Sequence, residues 1–182
     1  VDDADVRLCY MNSPGRKHLV KIVTDYLGDK STAKNSKALK ERFEQVELKK
    51  DRWGMRIEEV FRDCFAAGYE QVLVLGSRTP TVSVSRSNTA LRLLSESDAV
   101  FGPTLEGRYY MIGMRREYHI ELSSFDWKSP SIYSEVVDAF SKKGLAWSEL
   151  EIWYAVDKPE DLEIMVRDIN QLRIEGDERT SF

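Results

Sequence analysis

Histidine and cysteine are scarce in this 182-residue chain, two of each, and the shortage excludes whole classes of site. His18 and His119 stand far apart, so no His/Cys cluster offers itself to zinc. Cys9 and Cys64 are too few for a disulfide framework; each lies among apolar residues and reads as a reduced, buried thiol. No apolar run approaches the ~20 residues needed to span a bilayer. The acidic start, VDDADVRLCY, lacks the basic and apolar regions of a secretory signal, so a cytoplasmic location is expected, with no membrane partner. Cationic excess is absent too. The net charge of −4 gives no general attraction to nucleic acid.

What is present is an ordinary globular composition, 42% hydrophobic and 32% charged, long enough for one domain with a real core. Residues 1–175 are expected to form that domain, with 176–182 a polar tail. The organising stretch is QVLVLGSRTP, residues 71–80. Val72, Leu73, Val74 and Leu75 form a continuous apolar run, as in a strand buried on both faces of a sheet, and Gly76, Ser77, Thr79 and Pro80 break it off. Before it, Ile57, Val60, Phe61, Cys64 and Phe65 fall at i, i+3, i+4, i+7 and i+8 of a helix over 57–67, stopped by Gly68. Helix, turn, buried strand and polar loop is the rhythm of an α/β sheet, expected here to be mostly parallel with residues 72–75 central. Ligands in such sheets sit at the carboxyl ends of strands, which points to the 76–81 loop; most such loops are nonetheless plain turns.

Along the rest of the chain, Val6 to Tyr10 reads as a strand running into a turn at 12–15. Pro14-Gly15-Arg16-Lys17 lacks the glycine spacing of a phosphate loop and is better read as a turn opening a helix over 17–27. Residues 29–52 interleave Lys30, Lys34, Lys37, Lys40, Lys49 and Lys50 with Glu41, Glu44 and Glu47. Leu39, Phe43 and Val46 make a narrow apolar stripe there, so a solvated segment with one helix is expected. A helix over 87–95, strands at 99–103 and 109–114, a helix over 132–143, a last strand at 152–156 and a helix beginning near Pro159 complete the reading. Ile164, Val166, Ile169 and Leu172 belong to that last helix.

Four phrases, taken in order, resemble a known family. They are Phe65-Ala-Ala-Gly-Tyr69 leading into VLVLGSRTP, Asp98-Ala-Val-Phe-Gly-Pro103, Glu106-Gly-Arg-Tyr-Tyr-Met-Ile-Gly113, and Val156-Asp-Lys-Pro-Glu-Asp-Leu162. Over roughly residues 6–166 the chain is similar to small GT-A-type nucleotide-diphospho-sugar transferases, including the arsenosugar-biosynthesis glycosyltransferase-like group. The resemblance implies a Rossmann-like three-layer α/β sandwich that binds a nucleotide sugar, with a Mg or Mn ion accompanying the nucleotide.

Departures from the family pattern fall on the acids. Arg78 stands where the family's Gly-Ser-Asp-x-Pro has its Asp. Its Asp-Asp-Gly-Gly-Tyr-Tyr is here Leu105 to Tyr110, leaving Glu106 as the one acid. Its Asp-Val-Asp-Thr-Pro begins here with Ala155, keeps Asp157 and has Lys158 for Thr. A Trp-Ser-Thr phrase appears as Trp127-Lys128-Ser129. The family's opening strand and Pro-Gly-x-x-Lys-Thr loop have no counterpart, and the chain starts at Val1 rather than Met, so further residues upstream are expected. The resemblance thus assigns Glu106 and Asp157 as the remaining catalytic acids and Ser77, Arg78, Arg108, Trp127 and Lys158 as substrate-binding groups, with no metal ligands of its own. A cation on diphosphate wants carboxylate oxygens, and Arg78 opposes it; arginines and lysines can instead neutralise a diphosphate directly. Surface cations drifted into a lapsed site are the plainer account of the same residues. Two functions follow as expectations: a nucleotide-sugar-dependent glycosyltransferase-like protein with an altered metal–diphosphate site, or a non-catalytic binding or assembly module on the same scaffold.

Overall fold

A computed structural model describes residues 4–11, 43–118 and 120–179, together with the isolated positions 17, 18, 21 and 25. Those four positions are helical, in keeping with the helix expected at 17–27, whose other residues lie outside the described ones. The turn expected at 12–15 lies outside them as well.

Beyond those four positions, the described residues form six strands and four α-helices in order: β1 (Val6–Met11), β2 (Phe43–Leu48), α1 (Trp53–Ala66), β3 (Gln71–Leu75), α2 (Val84–Leu93), β4 (Ala99–Pro103), β5 (Tyr109–Arg115), α3 (Ile132–Lys142), β6 (Trp147–Glu149) and α4 (Asp161–Arg179). Strands β1 and β2 pair in parallel as a sheet of their own, and the others form a four-stranded sheet in the order β3-β5-β4-β6. Both β3 and β4 run antiparallel to β5, whereas β4 and β6 are parallel. Three strands therefore share one direction and β5 alone is reversed between two of them. This corrects the expectation of a mostly parallel sheet: the sheet is mixed. Its cause is the link between β4 and β5, residues 104–108, far too short for the crossover that a parallel neighbour needs.

The organising strand is also displaced from the centre. Among the described residues β3 is hydrogen-bonded along one side only, by β5, and Leu75 is 47% exposed. The middle belongs to β4, buried at all five positions, and to β5, buried at five of seven. Continuous apolarity marked a strand correctly, but an edge strand covered by helices on its faces carries the same signal.

Each face of the sheet has its own core. On one face Ala99 and Phe101 of β4 and Ile112 and Met114 of β5 meet Ile57, Phe61 and Cys64 of α1 and Ile132, Val136 and Phe140 of α3. On the other, Val100, Tyr110 and Met111 meet Ala90 and Leu94 at α2, with Leu150. The pairing of β4 with β5 slips at Gly102/Pro103, which turns both Tyr110 and Met111 toward the α2 face. The Tyr110 ring then lies against Gly102, where a Cβ would come within 2.5 Å of it.

Three further elements differ from expectation. Residues 43–48 form a strand, not part of a helix; Phe43, Val46 and Leu48 are half-buried while Glu44, Gln45 and Glu47 are exposed. The last strand lies at Trp147–Glu149, and the stretch expected to be that strand only brushes the sheet, through a parallel bridge from Trp153 to Thr104. Helix α4 continues to Arg179, so the segment read as a polar tail begins as helix. Among the described residues no helix is long and apolar enough to cross a membrane.

Candidate functional site

Because β3, β4 and β6 point the same way, the loops leaving them gather along one edge of the sheet. The 76–81 loop leaves β3 with Gly76 N–H donating to the carbonyl of Tyr110 at 2.8 Å and the Thr79 hydroxyl donating to the carbonyl of Gly76 at 2.9 Å. The turn after β4 is closed by Thr104, whose N–H donates to the Arg108 carbonyl at 2.8 Å and whose hydroxyl accepts from Arg108 N–H at 3.2 Å. Gly107 takes φ of +71°, a conformation a side chain resists, and so lets this short reversal form.

The chain from Trp153 to Lys158 ties these loops together. Trp153 N–H donates to Pro103, and Leu105 N–H donates back to Trp153. Val156 N–H donates to the Arg78 carbonyl at 2.7 Å, and the Arg78 guanidinium meets the Asp157 carboxylate at 2.6 Å. Arg78 and Asp157, 79 residues apart in sequence, are thus one ion pair. The Asp157 side chain is 27% exposed and that of Arg78 57%. Next to them the Asp161 carboxylate accepts from the N–H groups of Asp157 and Lys158 at 2.9 and 2.8 Å, and these bonds hold it below the usual carboxylate range.

The other residues assigned from the resemblance fare differently. Ser77, Glu106 and Lys158 are exposed and Arg108 is half-buried, all on these loops. Among the described residues no hydrogen bond or ion pair joins Glu106 to Arg78 or Asp157. Trp127 packs into the α1–α3 core, its ring centroid 6.0 Å from that of Tyr109. Its indole N–H donates to the Leu122 carbonyl at 2.8 Å, and the ring fills the space beside Gly54, where a Cβ would approach Nε1 to 2.3 Å. Its polar atom is already used, so its role in the fold is packing. Cys64 is buried and Cys9 half-buried, both free thiols; burial pushes Cys9 up to about 11. Among the described residues no three His, Cys, Asp or Glu side chains are grouped to hold a metal ion.

A second polar group on this edge was not foreseen. Arg86, from the first turn of α2, stacks over the Trp153 ring at 4.1 Å from its centroid and pairs with Glu151 at 2.9 Å. Trp153 also stacks with Tyr154, whose hydroxyl shares a 2.6 Å hydrogen bond with Thr81. Thr81, Arg86, Glu151 and Trp153 wall a groove of about 790 Å³ that runs between α2 and α4, with Asp168 and Leu172 on the α4 side. Adjacent aromatic residues in a short apolar stretch, Trp153-Tyr154, were the available signal; reading them as strand residues hid it.

Comparison with known proteins supplies the remaining observations. A solved structure of a "putative nucleotide-diphospho-sugar transferase" from Desulfovibrio desulfuricans G20 has a similar fold, with a TM-score of 0.67 at 24% identity. The match covers 85% of this chain but only 62% of that one, so the chain spans less than two thirds of its neighbour's length. No curated protein matches the sequence. A family profile does match, over residues 11–129, and by that match the chain belongs to the family of uncharacterized proteins conserved in bacteria, DUF2064.

Proposed function

We propose that this chain is a nucleotide-diphospho-sugar transferase-like protein, GT-A-like and Rossmann-like in its layering, whose diphosphate position is rebuilt around cations. The Arg78–Asp157 ion pair at 2.6 Å carries the reading. A divalent ion at this edge would need Asp157 oxygens, and a guanidinium already neutralises them. Magnesium or manganese would have to displace it and would then face Arg108 and Lys158 on neighbouring loops. An incoming diphosphate, by contrast, can take Arg78 from Asp157, exchanging one anion partner for another of higher charge. Nucleotide sugar is therefore held by Arg78, Arg108 and Lys158, with Ser77 at the same loop, and Glu106 and Asp157 are the acids left for transfer chemistry. The fold shared with the solved neighbour supports the scaffold, and the ion pair supports its altered site.

The second reading is a non-catalytic binding or assembly module. The exposed apolar side chains of α4, Leu162, Val166 and Ile169 among them, favour it. Calorimetry of the purified chain against a panel of nucleotide sugars, with and without magnesium or manganese, separates the two. Binding that needs no metal, weakens with salt and is lost in Arg78→Ala is the expected result. Tight binding only with metal overturns the rebuilt site, and no binding to any nucleotide sugar leaves the assembly module.

A further inference from the structure

The groove between α2 and α4 has no part in the nucleotide-sugar reading, yet its lining has a definite chemistry. Hydroxyl and amide groups are frequent in it: Thr81, then Ser83, Ser85 and Thr89 at and within α2, and Gln171 on α4. Each of these can both donate and accept a hydrogen bond. Carboxylates outnumber cations, with Glu149, Glu151 and Asp168 set against Arg86. That guanidinium is already engaged, paired with Glu151 at 2.9 Å and stacked over Trp153. The other two carboxylates each hold one donor, Glu149 the Tyr133 hydroxyl and Asp168 the Tyr154 hydroxyl. A carboxylate has about four lone-pair sites, so all three can accept further hydrogens. Such a lining repels anions, and an apolar ligand would cover its polar groups without replacing their water. A ligand rich in hydroxyls suits it, donating to the carboxylates and exchanging bonds with the Ser and Thr groups.

The wall is also fixed in advance of any ligand. The Trp153 indole N–H can only donate, and it meets the Thr81 hydroxyl oxygen at 3.2 Å. The Thr81 hydrogen is then left for the Tyr154 oxygen 2.6 Å away, and Tyr154 donates in turn to Asp168. One relay thus joins the 76–81 loop, the 153–154 segment and α4, and it ends on a carboxylate of the groove. Groups already held by the fold lose little freedom when a ligand arrives. The volume of about 790 Å³ lies within the ~300–1,000 Å³ usual for small-molecule sites. Position adds the last link. Thr81 is on the same loop as Arg78, and the Val156 N–H bond to the Arg78 carbonyl ties the 153–156 segment to that loop. The groove therefore shares two segments with the diphosphate residues. We propose that it binds a neutral carbohydrate, the acceptor of the transferred sugar; the acceptor role rests on the transferase reading. In that transfer an acceptor hydroxyl oxygen bonds to the anomeric carbon of the donor sugar. The bond from that carbon to the diphosphate breaks, the nucleoside diphosphate leaves, and the hydroxyl proton passes to a carboxylate of the transfer site.

Saturation-transfer NMR on the full chain tests it, with the methyl glycosides of glucose, galactose, mannose and N-acetylglucosamine as probes and putrescine as a cationic control. At least one glycoside is expected to bind, and putrescine more weakly. Thr89→Trp places a large ring at an exposed position of the groove and should abolish glycoside binding. Asp168→Asn keeps an oxygen for the Tyr154 hydroxyl but removes the charge, and should weaken binding about tenfold. Circular dichroism checks that both variants fold, and calorimetry should show their nucleotide-sugar binding unchanged. Arg78→Ala should do the reverse, losing nucleotide sugar and keeping the glycoside. No glycoside binding, binding indifferent to both groove variants, or a preference for putrescine overturns the proposal. Glycoside binding by a chain that takes no nucleotide sugar overturns the acceptor role together with the transferase reading, so the two failures are distinct.

Discussion

The middle of the four-stranded sheet and the edge where its loops gather are built from different materials. Phe101, at the centre, is fully buried and touches Tyr109, Phe140 and Trp147 with ring centroids 5.2 to 6.0 Å apart. The chemistry-bearing loops at the edge contribute almost nothing comparable: Ser77, Arg78, Glu106 and Lys158 are all exposed. The difference teaches where each kind of change will register. Substitutions in the middle act on stability through lost packing, and those at the edge act on ligands and partners with the fold intact.

The largest effect should come from the centre. Phe101→Ala is expected to cost about 3–5 kcal/mol of unfolding free energy, because it empties a site walled on both sides by rings. Ile174→Ala on α4, by contrast, should stay within about 0.5 kcal/mol. Urea denaturation of both variants makes the comparison. An equal loss at the two positions would show that α4 belongs to the core and would break the contrast between the regions.

How much of this could be read from the sequence depends on whether local pattern or long-range pairing decides. Helix α1 was legible because Ile57, Val60, Phe61, Cys64 and Phe65 keep one period and all face the sheet. Strands β4 and β5 were legible because both are apolar runs bounded by turn residues. Their antiparallel relation was also within reach, since five residues cannot make a crossover, but the α/β rhythm of the rest suggested parallel pairing. Strand β2 was hidden because Leu39, Phe43 and Val46 mimic a helical stripe, and its partner is the distant β1. At the candidate site, the loops were legible as loops. That Arg78 meets Asp157 was not, since no local signal links residues 79 apart. Trp127 was assigned to substrate through resemblance alone; its use as a packing residue depends on Gly54, far away in sequence.

The packing of Trp127 gives the second prediction. Trp127→Phe replaces the indole with a smaller ring and removes the 2.8 Å hydrogen bond to Leu122, leaving that carbonyl only the long 3.5 Å bond from Phe125 N–H. A loss of about 1 kcal/mol in stability is expected, with nucleotide-sugar affinity unchanged. If affinity falls while stability holds, Trp127 belongs to the edge after all.

A third prediction concerns the thiols. Burial raises Cys9 to about 11 and raises Cys64 as well, so both stay protonated in the folded chain at neutral pH. The unfolded chain ionises its thiols near pH ~8.5, so it loses those protons first. Stability from this source is therefore complete below that pH and falls as pH rises toward the folded value. Denaturation midpoints between neutral pH and pH 10 should decline, and the decline should flatten in Cys9→Ala with Cys64→Ala. Alkylation by iodoacetamide at pH 8 should be slow in the native chain and fast in urea. Rapid native alkylation would place these thiols outside the packed region.

The smallest effect on stability should come from the residue with the greatest expected effect on function. Arg78 and Asp157 form a short ion pair, but Arg78 is more than half exposed, so water already solvates much of its charge. Exposed pairs of this kind contribute about 0–1 kcal/mol, and salt reduces even that. Arg86 offers the internal control. Its side chain is 18% exposed, stacked on Trp153 and bonded to the Glu151 carbonyl beside the Tyr110 hydroxyl, so removing it strips a ring face and takes one of two donors from that carbonyl. Arg86→Ala should therefore destabilise by more than Arg78→Ala, with cation–π stacking alone worth about 0.5–2 kcal/mol. A double-mutant cycle on Arg78→Ala and Asp157→Asn should return a coupling under about 1 kcal/mol, vanishing in high salt. A larger, salt-resistant coupling would mean that the pair is a structural clasp between the β3 loop and the start of α4. A clasp would not readily release Arg78 to a diphosphate, and the cation-based nucleotide site would lose its central residue.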